Sequence, residues 1–172
     1  LEGLAHFAHL VNLDTVEDLL VELKLLLTSS VTAHAAAGAA GAAGSGALPL
    51  EASLNCVRTA LRTLHGGGGA VAKFGRELGS QVDEGVFLSA LFALLPRLAS
   101  ERGGDKCALL AVECVEHVLL RRKEYSLVRT GAFVHRLLVV ALQLSDCTAA
   151  ASLVATARAV VCRYPAVQQL LE

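Results

Sequence analysis

No methionine occurs in the 172 residues, and the chain opens on Leu1 inside a stretch of amphipathic pattern. A sequence without an initiator residue reads as a piece of a longer chain, or as a processed one. Aromatic residues make up 4%, too few for an all-β sandwich, which also wants β-branched residues and regularly spaced turns. No apolar run reaches the ~18 residues that a membrane-spanning helix needs. The nearest, 137–157, is interrupted by Gln143, Ser145 and Asp146. A signal peptide is not visible either, although a missing N-terminus would hide one. Neither sign of charge dominates: 15 basic and 16 acidic residues leave a net charge of -1. A chain devoted to gripping nucleic acid is usually strongly basic, so any RNA or DNA contact here is expected to be local or shared with a partner.

What is present is Leu and Ala. Apolar residues account for 54%, which excludes a disordered or collagen-like chain. The length fits one domain, able to bury roughly two-thirds of the surface its unfolded form exposes. Five cysteines, at 56, 107, 114, 147 and 162, are odd in number, irregular in spacing and mostly set among apolar residues. They read as reduced, buried thiols of an intracellular protein and not as a disulfide framework.

Helical periodicity recurs along the chain. Residues 1–11 read as the end of a helix. Asp14, with Glu17 three residues later, resembles a capping box for a helix to about Leu27, with Val16, Leu19, Leu20, Leu23 and Leu27 as its stripe. Residues 35–47 contain only Ala, Gly and Ser. Their glycines cost a helix about 1 kcal/mol each, and the tract is expected to be a flexible insertion. Pro49 suits the first turn of a helix to His65, with Leu54, Val57, Leu61 and Leu64 inward. Gly66 to Gly69 ends that helix, and a glycine-rich loop is expected over 66–82. Asp83 caps a helix lined by Phe87, Leu88, Leu91, Phe92 and Leu95, with Pro96 near its end. Asp105 is expected to open a helix through Leu109, Val112, Val115, Val118 and Leu119. Ser126 caps one to Leu144, and Asp146 or Thr148 begins the last long helix, to Tyr164. About seven helices with short connections imply antiparallel neighbours. Their pairs recur at about 40 residues, the length of a HEAT-like unit. The expected architecture is therefore all-α, antiparallel hairpins stacked as a HEAT/armadillo-like repeat over 1–172, with an irregular bundle as the alternative.

The chemistry-bearing motifs are sparse. Gly66 to Gly69 follow a helix and lack the Lys-Ser/Thr of a phosphate loop, so they read as a helix stop. Cys107, Cys114 and His117 share a helical face, and His135 could be a fourth zinc ligand. The usual pair of cysteines two to four residues apart is absent, which favours buried cysteines and a His117 at the rim. No elbow or triad motif accompanies the Cys, His and Asp residues, and no enzymatic role, cofactor or small-molecule substrate is expected. The basic concentration is Arg121, Arg122, Lys123, Arg129 and Arg136. It reads either as solvated helix ends or as a contact to RNA phosphate or an acidic partner. With only Tyr125 nearby for stacking, such a contact would grip backbone and not bases. Several helices, including 137–144 and 149–161, are apolar on more than one face, as expected of elements that are central or covered by something else.

A resemblance runs through these elements. The stretch 1–12 (Leu-Glu-Gly-Leu-Ala-His-Phe-Ala-His-Leu-Val-Asn), Glu17-Asp18-Leu19-Leu20 and 54–60 (Leu-Asn-Cys-Val-Arg-Thr-Ala) resemble the CCAAT-binding-factor/nucleolar-complex family. Arg121-Arg122-Lys123, 132–137 (Ala-Phe-Val-His-Arg-Leu), 153–158 (Leu-Val-Ala-Thr-Ala-Arg), Tyr164-Pro165 and Leu170-Leu171 continue it in order. The tract 35–47 and the loop after Gly69 depart from the family pattern. The resemblance implies a non-enzymatic α-helical scaffold of the nucleolus. It would join precursors of the large (60S) ribosomal subunit, pair with nucleolar complex protein 2 and support rRNA processing. The family alternative is a chromatin-associated factor in replication initiation or transcription.

Overall fold

The structure is a computed structural model, and it describes residues 13–40, 48–65, 83–121 and 125–170. The helix read at 1–11, the loop at 66–82, and Arg122 and Lys123 lie outside the described residues, as do the side chains of Asp14 and Val16. Among the described residues every regular element is helical. The all-α class expected from the Leu/Ala composition is what the structure shows. Contacts cluster into two compact units, Leu1–Leu91 and Phe92–Glu172.

In the first unit, α1 spans Leu13–Ala40 and α2 spans Leu50–His65, and the two pack together. α1 runs 13 residues beyond the expected end at Leu27, so 35–40 of the expected flexible insertion is helix backbone. Residues 41–47 lie outside the described residues. Alanine is the best helix former, and five of the six residues 35–40 are alanine, which outweighs the cost of Gly38. Leu20, Leu23, Leu27 and Ser30 form the buried face. Ser30 fixes the return of the chain: its Oγ accepts from the Leu48 N–H at 3.0 Å. α2 then starts on Pro49, whose carbonyl accepts from Ser53 N at 3.0 Å. The expected stripe of Leu54, Val57, Leu61 and Leu64 is buried.

α3 spans Glu84–Leu94 and contains the division between the units, after Leu91. Asp83 caps it as expected, Oδ1 accepting from Gly85 N at 2.9 Å. The helix stops two residues before Pro96, whose ring cannot continue the hydrogen-bond ladder.

The second unit begins with the short α4, Arg97–Ser100. Arg97 is almost fully buried and pairs through Nε with Glu101. A 3-10 turn, Gly104–Cys107, leads into α5, Ala108–Val115. Gly103 adopts a left-handed conformation, φ +80°, which costs glycine no Cβ clash. Gly104 lies so close to α4 that a Cβ there would be 2.3 Å from the Leu98 carbonyl oxygen. Asp105 caps neither the 3-10 turn nor α5, contrary to expectation. It accepts instead from Ser145 Oγ at 2.8 Å, tying the start of α5 to the connection after α6. Of the expected stripe, Val115, Val118 and Leu119 are buried, but Leu109 is 67% exposed, and Ala108, Ala111 and Cys114 are inside as well. α5 packs against α7, and both bury alanines, Ala108 and Ala111 on one and Ala149 and Ala157 on the other.

A π turn, Glu116–Leu120, extends α5. Arg121 N donates to Glu116 O, five residues back, at 3.2 Å. The wide turn brings three consecutive residues, His117, Val118 and Leu119, inside. The expectation of His117 at the rim is thereby corrected. α6 (Leu127–Gln143) and α7 (Cys147–Arg163) pack against each other. Their three-residue connection makes them antiparallel. Ser126 Oγ accepts from Arg129 N at 3.3 Å, and Asp146 accepts from Thr148 N and Ala149 N at 3.0 and 3.3 Å. Both caps were expected from their residue types. A 3-10 turn, Pro165–Leu170, packs back against α6 and α7.

Candidate basic interface

Of the residues expected to make contact, Arg121, Arg129 and Arg136 are among the described residues. Arg121 is exposed at the end of the π turn. There the partly negative carbonyl end of the helix favours a cation. Arg129 is exposed in the first turn of α6. Arg136 is different. It is half-buried, its Nη1 donates to the Phe92 carbonyl at 2.9 Å, and its guanidinium sits 3.6 Å from the Phe92 ring centroid. Phe92 in turn meets Phe133 edge-on, with centroids 5.1 Å apart and planes at 68°. The sequence placed Phe92 in a core stripe and Arg136 in a basic patch. The structure joins them, so Arg136 fastens α6 to the end of α3 and offers solvent little of its charge. Seven residues before it on the same helix, Arg129 is exposed whereas Arg136 is half-buried.

The zinc candidates are separated by burial. Cys114 and His117 are buried, Cys107 is half-buried and His135 is exposed on α6. Among the described residues no group of three His, Cys, Asp or Glu side chains could share a metal ion. All five cysteines are thiols. Cys56 and Cys114 are buried as expected, but Cys147 and Cys162 are exposed at the two ends of α7, because that helix keeps only one side for the core.

A groove of about 300 Å³ lies in the first unit, lined by Leu27, Thr28, Val31 and Thr32 of α1 and by Asp83, Val86, Ser89 and Ala90 around the start of α3. Three of its polar side chains are committed to local structure. Thr28 Oγ1 donates to Lys24 O at 2.8 Å and Thr32 Oγ1 to Thr28 O at 2.9 Å, while the Asp83 carboxylate is the α3 cap. Nothing in this lining pairs a nucleophile with a base. Among the described residues no helix is long and apolar enough to cross a membrane.

Among the described residues the molecule is thus an all-α protein of packed helices. Its sequence is similar over the whole chain to nucleolar complex protein 3 homologues. The homologue from Cricetulus griseus is 32% identical over 173 aligned positions, and that from Homo sapiens is 30% identical over the same span. The Danio rerio homologue is 34% identical over 146 positions, or 84% of the chain. The chain spans 18% of the length of the Cricetulus and human relatives. The resemblance to the nucleolar-complex family read from the motifs is therefore shown, and it is a resemblance to one segment of those proteins. No family model matches the chain, and no solved structure matches it.

Proposed function

We propose that this chain is part of a non-enzymatic nucleolar scaffold acting in assembly of the large ribosomal subunit. The observation that carries the reading is the similarity, over the whole of this chain, to a segment of proteins named for a nucleolar complex. A nuclear or nucleolar location follows from the same relatives. The scaffold's partners would be nucleolar complex protein 2 and precursors of the large subunit. Arg121, Arg122, Lys123 and Arg129 would be available to the rRNA backbone, and Arg136 would act through its packing on Phe92. Exposed aliphatic residues such as Leu142, 88% exposed, support a role in holding other macromolecules.

Depletion of the full-length protein tests this directly. Precursors of the large-subunit rRNAs should accumulate while small-subunit rRNA continues to mature. Unchanged processing of both would reject the proposal.

A further inference from the structure

The hydroxyls of Thr28, Thr32, Thr63, Thr130 and Thr156 each donate to a carbonyl four residues back. They are held in helix geometry, where a modifying enzyme cannot lay the chain out straight. Ser145 is placed differently. It is exposed, in the connection between α6 and α7. The residues on either side of it are extended, Leu144 at φ -74° and ψ 141°, Asp146 at φ -84° and ψ 115°. Its Oγ donates to Asp105 Oδ2 at 2.8 Å. That bond clasps the 3-10 turn before α5 to the connection before α7, two helices that also pack together.

The flanking sequence narrows the kind of enzyme that could act there. Between Arg136 and Arg158 the one charged residue is Asp146, immediately after the serine. No proline follows Ser145. An enzyme that selects by arginine, lysine or proline finds nothing in this stretch, whereas one that selects by acid finds a carboxylate. Phosphorylation would turn the clasp into a repulsion. The proton that Asp105 accepts is lost, and a group of about -1.5 to -2 charge takes its place. Lys106, exposed beside Asp105, is a single positive charge against the phosphate and the carboxylate together. The start of α7 does not compensate, because Asp146 already takes the Thr148 and Ala149 N–H groups.

We propose that Ser145 is a phosphorylation site for an acid-directed protein kinase, and that its phosphate opens the clasp to Asp105. In the transfer, Ser145 Oγ bonds to the γ-phosphorus of ATP and the bond from that phosphorus to the bridging oxygen breaks. ADP leaves, and the hydroxyl proton passes to the base of the kinase. The inference does not rest on the nucleolar reading. Its test takes the full-length protein, purified from cells in the presence of phosphatase inhibitors. Peptide mapping by mass spectrometry should find phosphate on Ser145. Amide exchange at 104–108 should be about tenfold faster than in a phosphatase-treated sample. Full-length Ser145→Glu should reproduce that rise. Adding Asp105→Asn to it should reverse the rise, because a carboxamide N–H donates where the carboxylate only accepts. Ser145→Ala, which breaks the bond without adding charge, should raise exchange less. An unmodified Ser145 would overturn the proposal, as would exchange at 104–108 that neither phosphate nor Ser145→Glu alters. A rise in Ser145→Glu that Asp105→Asn leaves in place would also contradict it.

Discussion

Arg136 lays its guanidinium over the Phe92 ring, 3.6 Å from the centroid, while its Nη1 donates to the carbonyl of that same residue. One side chain thus satisfies a carbonyl near the end of α3 and covers an aromatic ring that α6 also meets through Phe133. Arg136→Ala should destabilise the chain by about 1–3 kcal/mol, the sum of a cation–π contact and a hydrogen bond. Arg136→Lys keeps the charge but not the planar fork and should recover only part of that loss. Urea unfolding of the purified variants measures both.

The paired glycines before α5 should respond unequally to alanine. At Gly103 the cost is backbone alone, about 1–2 kcal/mol for a left-handed residue with a Cβ, because nothing lies within 4 Å of the added atom. At Gly104 the Cβ meets the Leu98 carbonyl oxygen at 2.3 Å, and backbone must move. Gly104→Ala should therefore be the more damaging change and should loosen α4 against the 3-10 turn, visible as faster amide exchange at Leu98 to Glu101.

Thiol labelling should divide the cysteines by the exposure of α7. Cys147 and Cys162 should react with maleimide in the native chain, while Cys56 and Cys114 should react only on unfolding. Rapid native labelling at Cys114 would contradict the packing of α5.

Alkaline pH should weaken the fold. Burial pushes the Cys56 thiol above its ordinary value of 9.0 and the Tyr164 hydroxyl above 10.0. A raised pKa means the folded state holds the proton more tightly than the unfolded chain. The associated stability is complete below those ordinary values and is lost as pH rises through the folded ones. Unfolding free energy should be flat near neutrality and fall above about pH 9. Cys56→Ala and Tyr164→Phe should each reduce that fall.

Much of the frame was legible in the sequence, because helix caps and stripes are local. Asp83, Ser126 and Asp146 cap as their side chains predict. Leu54, Val57, Leu61 and Leu64 needed only the 3.6-residue period. What was not legible depends on contacts between distant elements. Leu109 is outside while Ala108 and Ala111, its neighbours on α5, are buried on a helix that packs against α7. His117 is inside because a π turn rotates the helix, and no residue in 116–120 announces one. Asp105 looked like a cap, yet its partner is Ser145, 40 residues away. Arg136 left the basic patch for the same reason, since its ring and carbonyl partner lies 44 positions back. The extension of α1 is the exception. At 35–40 the helix propensity of five alanines outweighs the cost of one glycine.

The most direct test of the scaffold reading is sedimentation of the tagged full-length protein from cell extract. The account predicts that it travels with particles containing large-subunit rRNA precursors and moves to lighter fractions when those particles are dissolved. A protein confined to the top of the gradient, away from the precursors, would contradict it.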